Sequence, residues 1–324
     1  MRVAVTAVGG GIGQSIIKCL HGTEYKTVGI DPKEDAAGLY MADVGCIGKN
    51  VSDANYVASL IAICAREGCK FIFPGLDSEL LVFAEYAKAF RANGITPIIS
   101  SPRTVELSDN KGELYLFLKT HKLPYIETAF SISEASKRIP LPWILKPMIG
   151  GCRSKNVSFC ENIIDATRIF NDSPDKLIIQ EYIDGTEYTC GSITFDKKVL
   201  GTVIMERTLR NGDTYKAYSK EDSEIDSFLR RLLPLIKPFG PCNIQIRVKD
   251  GWPYVLEINA RCSGTTGARA LVGFNEPLIT LNHLLGKSTD YKLKHMAIFR
   301  YWNECAVEYD KIEEMKNEGS IYRS

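Results

Sequence analysis

No Cys-x-x-Cys pair occurs in the 324 residues, although the chain holds ten cysteines: Cys19, Cys46, Cys64, Cys69, Cys152, Cys160, Cys190, Cys242, Cys262 and Cys305. Thiols scattered singly argue against a zinc cluster or a disulfide framework and read as the reduced small hydrophobes of a cytoplasmic protein. The four histidines, His21, His121, His283 and His295, are equally dispersed, and none has a Cys or His partner at ligand spacing. Net charge is nearly absent, because 40 Lys plus Arg face 39 Asp plus Glu and leave +1. Without a broad positive field nucleic acid is not expected as a partner, and only local anion sites remain. Long apolar runs are missing too. Val3 to Val8 runs straight into glycines, too short for a signal-peptide core or a membrane span, so neither export nor a membrane is expected.

What is there is ordinary in bulk and specific in detail. Hydrophobic residues make up 45% and charged residues 24%, the balance of a chain that folds. The length predicts two or three domains. Through Ser101, β-branched runs (Val3 to Val8, Thr27 to Ile30, Lys70 to Pro74, Ile95 to Ile99) alternate with amphipathic stretches (Gly13 to Leu20, Ser52 to Arg66, Asp77 to Ala92). That alternation predicts a parallel sheet with helices on both faces. After Pro102 strands dominate: Trp143 to Lys146, Asn156 to Cys160, Leu177 to Glu181, Glu187 to Phe195, Val199 to Glu206, and a hairpin joining Asn243 to Val248 with Tyr254 to Asn259. This half predicts α+β architecture with antiparallel sheets.

Three constellations carry chemistry. Gly9-Gly10-Gly11-Ile12-Gly13 follows a strand and opens a helix, and Asp31 ends the next strand where a ribose-binding acid would stand. The segment Thr6-Ala7-x-x-Gly10-x-x-Gly13 resembles the short-chain dehydrogenase and epimerase fingerprint, for which the only Tyr-x-x-x-Lys pair is Tyr115 with Lys119. The plain alternative is a tight strand-to-helix turn. Second, Lys146 ends an apolar strand and is followed by Pro147-Met148-Ile149-Gly150-Gly151-Cys152-Arg153-Ser154-Lys155, which is no Walker A loop but suits a flap closing over phosphates above a fixed lysine. Lys111 offers a second cation, and a mere surface turn is the alternative. Third, a three-residue Asp250-Gly251-Trp252 loop would set Gln245 opposite Glu257, whereas a two-residue Asp250-Gly251 loop would pair Gln245 with Leu256 and turn Glu257 away. The first register keeps the polar residues together. With Asn259 two residues on, it gathers two amide oxygens and a carboxylate, hard ligands of the kind that hold Mg²⁺ beside nucleotide phosphates. Arg261 lies one step further, before a polar loop (Ser263 to Gly267) that could close the site. A solvated sheet face is the plain alternative here.

In this order, Lys111, Lys146 with its glycine flap, Gln180-Glu181-Tyr182-Ile183-Asp184-Gly185-Thr186-Glu187, Gln245, and Glu257-Ile258-Asn259-Ala260-Arg261 resemble the ATP-grasp carboxylate ligases. The likeness is to one synthetase half of the carbamoyl-phosphate synthase large subunit and to the ligase of pyrrolysine biosynthesis, and it spans nearly the whole chain. It implies a Rossmann-like pre-ATP-grasp domain over 1–104, an ATP-grasp domain over 105–290, and a tail, 291–324, whose strand and helix pack on the ATP-grasp domain. It implies further that Lys111, Lys146, Gly150 and Gly151 contact ATP phosphates, and that the backbone of Gln180, Glu181, Tyr182 and Ile183 meets adenine. Glu187 would take the ribose hydroxyls; Gln245, Glu257 and Asn259 would hold two Mg²⁺ or Mn²⁺ ions; Arg261, with Lys146, would act in catalysis on the acyl phosphate. The synthase carries arginines at the positions of Lys111 and Lys146, two such halves, and a separate glutaminase. The implied activity is an ATP-dependent carboxylate–amine ligase with small-molecule carboxylate and amine substrates, with a homodimer left open. The alternatives are an NAD(P)-dependent oxidoreductase and a non-catalytic ATP-binding regulatory module.

Overall fold

The structure is a computed structural model that describes residues 1–150, 156–301 and 303–322. Its first part is built on β1 (Arg2–Thr6), β2 (Lys26–Asp31), β3 (Val44–Ile47), β4 (Cys69–Phe73) and β5 (Thr96–Pro97), all parallel. Val3, Ala4 and Val5 are all fully buried, as a strand covered on both faces requires. The cover comes from α1 (Gly11–Leu20), α2 (Ala37–Met41), α3 (Tyr56–Glu67), α4 (Leu80–Glu85) and α5 (Ala87–Ala92). The single helix expected over Asp77 to Ala92 is instead a 3₁₀ turn at Asp77–Glu79 followed by α4 and α5. Tyr86, at φ −92° and ψ 10°, ends one helix and starts the other.

The second part opens with α6 (Pro102–Asp109), capped by Ser101, and α7 (Lys111–Thr120), capped by Asn110. A four-stranded sheet follows, ordered β6 (Thr128–Ala129), β9 (Leu177–Glu181), β7 (Trp143–Pro147), β8 (Ser158–Cys160), under α8 (Ile132–Arg138) and α9 (Ile163–Asp172). The larger antiparallel sheet contains β10 (Thr186–Phe195), β11 (Lys198–Arg210), β12 (Asp213–Lys220), β13 (Gly240–Lys249), β14 (Trp252–Asn259) and β15 (Ala297–Phe299), ordered β14-β13-β10-β11-β12-β15. The helix α10 (Ser223–Ile236) covers one face, packing Phe228, Leu229, Leu232 and Leu233 on Ile244 and Ile246. On the other face, α11 (Thr266–Leu271) and α12 (Glu276–Leu284) also touch α1 and so join the two parts.

The tail divides. Only β15 joins the large sheet, whereas α13 (Tyr309–Glu318) and β16 (Ser320–Tyr322) return to the first sheet, where β16 pairs antiparallel with β3. The expectation that strand and helix both pack on the ATP-grasp part is therefore corrected: Met315 and Ile321 are apolar anchors buried in the first core. Among the described residues no helix is long and apolar enough to cross a membrane.

Candidate active site

The β13–β14 hairpin sets the site's register. Its turn is the two-residue Asp250-Gly251, both at positive φ (52° and 78°), so Lys249 pairs with Trp252 rather than with Pro253. The three-residue turn was the wrong expectation, yet Gln245 does face Glu257. A β-bulge between Gln245 and Ile246 skips Leu256, restoring the polar face that the shorter turn would have inverted. The carbonyl of Leu256 accepts a hydrogen bond from Lys146 Nζ at 3.2 Å, which ties β7 of the small sheet to β14 of the large one.

Lys146 and Lys111 are both buried. Burial pushes the Lys146 ammonium down from 10.5 to about 8; the charges of Lys111 and Arg247 add to the effect and Glu257 opposes it. Lys111 Nζ donates to the Gly150 carbonyl, and Gly150 N–H donates to Asp109 Oδ1 at 3.1 Å. The start of the glycine segment is thus docked on the α6–α7 junction. Gly151, Arg153 and Lys155 lie outside the described residues.

At the other end of the small sheet, Glu181 N–H donates to Glu127 O and Tyr182 N–H to Pro142 O, so two amides of the expected adenine strap already have protein partners. Gln180 is buried, its side chain donating to Thr128 Oγ1 at 2.8 Å, and Ile183 O accepts from Arg247 Nη1 at 3.0 Å. Glu187 does not stand free for a ribose. Arg207 approaches it at 2.6 Å and Arg247 at 3.0 Å, and Arg207 also donates to Gln245 Oε1 at 2.8 Å. Neither arginine was singled out from sequence. For Arg247 the signal was present, two residues beyond Gln245 on the same face; Arg207 reaches the site through β10–β11 pairing, which no local pattern announces.

Glu257, Asn259, Lys111 and Gly150 line one cavity of about 500 Å³ with Asp77, Glu106 and Asp109. The carboxylate of Glu257 has no hydrogen bond or ion pair among the described residues, while Asn259 Oδ1 accepts from Arg261 Nη2 at 2.9 Å. Among the described residues no cluster of three or more His, Cys, Asp or Glu could hold a metal by itself. One unpaired carboxylate flanked by two amide oxygens, each with a lone pair beyond its arginine bond, does fit a magnesium ion that takes its remaining ligands from water and phosphate. Arg261 is buried, and each of its nitrogens has a partner: Nε donates to Asp77 Oδ1 at 2.7 Å and Nη1 to Cys262 O at 2.9 Å.

Two further expectations change. The loop from Ser263 to Gly267 is not a free lid, because Arg269 Nη2 donates to Ser263 Oγ, Thr266 Oγ1 to Glu276, and Ser15 Oγ to Gly264 O. At the N-terminal glycines, Gly9 N–H donates to Asp31 Oδ2 at 2.8 Å, so the acid expected to face a ribose is tied to the turn itself. Tyr115 and Lys119 do meet, at 2.9 Å, but on α7 beside Glu127 and Tyr125, in the other half of the chain.

Comparison with known proteins agrees with this architecture. Residues 173–305 match the family described as "ATP-grasp in the biosynthetic pathway with Ter operon", and residues 5–98 match "PylC-like, N-terminal domain". A carbamoyl phosphate synthase large chain of Thermoanaerobacter sp. is 28% identical over 262 residues, covering 71% of this chain and 24% of that one. The chain thus spans about a quarter of the length of such relatives. Among solved structures, biotin carboxylase from Campylobacter jejuni superposes with a TM-score of 0.72 at 17% identity over 90% of this chain and 73% of that one. N5-carboxyaminoimidazole synthetase from Staphylococcus aureus gives 0.71 at 14% over 98% and 85%. The chain resembles the ATP-grasp proteins over residues 173–305 and the PylC-like N-terminal domain over residues 5–98, and is similar to one synthetase portion of the carbamoyl phosphate synthase large chain.

Proposed function

We propose that the chain is an ATP-dependent carboxylate–amine ligase. A substrate carboxylate oxygen attacks the γ-phosphorus of ATP, the bond to ADP breaks, and an acyl phosphate forms. An amine then attacks the acyl carbon, phosphate departs, and the nitrogen loses a proton. The observation that carries this reading is that buried Lys111 and Glu257, a carboxylate without a partner among the described residues, line one cavity walled by both parts of the chain, with the buried Lys146 ammonium feeling the charges of both. Such transfer asks little of a protein except position and charge.

Lys111 and Lys146 would neutralise phosphate oxygens, with Gly150 at the mouth. The strap from Gln180 to Ile183 would lie along adenine, and Glu187, held by its two arginines, would reach the ribose through its remaining lone pairs. Glu257, Gln245 and Asn259 would hold magnesium, which supplies charge neutralisation of the phosphates. Arg261 would stabilise charge on the acyl phosphate once its guanidinium is released from Asp77.

The test is ADP release by the purified chain with Mg-ATP and a panel of small carboxylic acids, with hydroxylamine present to trap an acyl phosphate as the hydroxamate. Carboxylate-dependent ADP and hydroxamate are expected. Mg-ATP binding without turnover under any carboxylate would mean a regulatory module, and thermal stabilisation by NAD(H) but not by Mg-ATP would mean an oxidoreductase.

A further inference from the structure

A cavity of about 760 Å³ opens on the seam between the two parts of the chain, larger than the cavity of the candidate active site and sharing no lining residue with it. Four stretches wall it: α4 with α5, the connection into α6, the β10–β11 turn, and the residues that follow α10. Ala84, Ala87, Ile99 and Pro238, all buried, make its floor apolar, with Phe239 half-buried beside them. Its charged residues are all exposed, Lys88, Arg91, Lys197 and Lys237 against Glu85 and Asp196, and none of the six has a side-chain hydrogen bond or ion pair among the described residues. The undescribed residues hold no acidic side chain, so they cannot cancel this excess of cation.

Two of these lysines stand where glycine is the ordinary choice. Two other two-residue turns of the large sheet, Asn211-Gly212 and Asp250-Gly251, put glycine second, as a turn with positive φ at both positions favours. The β10–β11 turn also has positive φ at both positions, 46° and 68°, but its residues are Asp196 and Lys197. The helices show the same departure. α3 and α13 end on left-handed Gly68 and Gly319, whereas α10 ends on Lys237 at φ 53° and ψ 57°. A Cβ in this region crowds the neighbouring backbone, so each lysine holds its place against strain. Attraction to the helix dipole accounts for Lys237 but leaves Lys197 without a reason, and both lysines line one cavity.

We infer that this cavity is a second binding site, separate from the candidate active site, and that its ligand is a small organic phosphate. A phosphate gathers two charges and several acceptor oxygens on one group, which cations brought together from three stretches of chain can share. The floor takes the rest of the molecule, and the volume lies within the roughly 300–1,000 Å³ of small-molecule sites. The site does not depend on the ligase reading. It is nonetheless a neighbour of the candidate active site, because α4 and α6 each wall both cavities: Leu81 there and Ala84 here, Glu106 there and Pro102 here.

The experiment is calorimetric titration of the full chain, saturated with a non-hydrolysable Mg-ATP analogue, with AMP, UMP, glucose phosphate, pyrophosphate and inorganic phosphate in turn. At least one of the three organic phosphates should bind one to one and roughly tenfold or more tightly than either inorganic anion, because it alone covers the apolar floor. Lys197→Gly combined with Lys237→Gly should weaken that binding by roughly tenfold or more. The same double variant should melt no lower than the parent chain, since glycine relieves the strain at both positions. Lost affinity without lost stability is an opposition that lysines of merely structural use would not produce. Lys88→Ala combined with Arg91→Ala, on α5, should weaken the same ligand and leave the affinity for the Mg-ATP analogue unchanged. The inference is overturned if no organic phosphate binds, if inorganic phosphate binds as tightly, or if affinity survives in both double variants. Failure of the Mg-ATP analogue to bind would count against the ligase reading, and the two double variants would still decide this one.

Discussion

Because Lys146 loses its proton near pH 8 in the free protein, nucleotide affinity becomes a function of pH. ATP phosphates favour the charged form, so binding raises this pKa again. Affinity should be flat below about pH 7.5 and then weaken by up to tenfold per pH unit until the pKa of the bound state is reached. Calorimetric titration of Mg-ATP from pH 7 to 9.5 would show this, and Lys146→Arg, which stays charged throughout, should flatten the profile. The sign for stability is the opposite. The unfolded chain, with an ordinary lysine, binds more protons between about pH 8 and 10.5, so the cost of burying this charge is present below 8 and is relieved as pH rises. Glu257 gives a second test at this scale. Glu257→Gln keeps size and shape but removes the carboxylate charge, and ligase turnover should fall by roughly 10²–10³-fold with the melting temperature nearly unchanged. Wild-type turnover in that variant would remove Glu257 from the mechanism.

Strands and turns show why the site was legible in part. The polar alternation of β13 and β14 reveals that Gln245, Glu257 and Asn259 belong to one face, and the structure keeps them there. The route differs, because a bulge is a one-residue event with no compositional mark, and turn length alone predicts the opposite face for Glu257. Long-range pairings such as Arg207 with Glu187 are invisible for a related reason: they depend on how β10 and β11 register, about 20 residues apart in sequence. The glycines are legible as a strand-to-helix turn, one of the readings open to them, whereas the bond from Gly9 to Asp31 is a long-range contact that no local pattern shows. Within α1 the glycines are not equivalent. A Cβ on Gly13 would lie 2.7 Å from Ala7 O and 2.9 Å from Thr6 O, while one on Gly11 would meet nothing within 4 Å. Gly13→Ala should therefore cost about 1–3 kcal/mol, overpacking outweighing the helix-propensity gain of at most ~1 kcal/mol. Gly11→Ala should be neutral or slightly stabilising. Urea unfolding of the two variants separates these outcomes.

At the scale of the whole molecule, the change of rhythm after Ser101-Pro102 falls where α6 begins, whereas the last segment is misassigned because a short strand such as β16 carries no sign of which edge it will seek. That placement makes the first body discontinuous in sequence. Met315, fully buried against the first core, anchors α13, and Met315→Ala should cost about 2–5 kcal/mol and lower the unfolding midpoint in urea. A fragment ending at residue 302 should lose more and expose the β3 edge, which size-exclusion chromatography would register as association. An unchanged melting temperature in the fragment would show that α13 and β16 are ornamental. The same return of the chain bears on synthesis. As the polypeptide leaves the ribosome, the first sheet is complete except for one outer strand, and the strand that covers β3 emerges some 270 residues later. At the ordinary pace of roughly 5–20 residues per second, that edge stays open for tens of seconds, an interval in which a holding chaperone, or the large domain folding first, must keep neighbouring nascent chains from pairing with it.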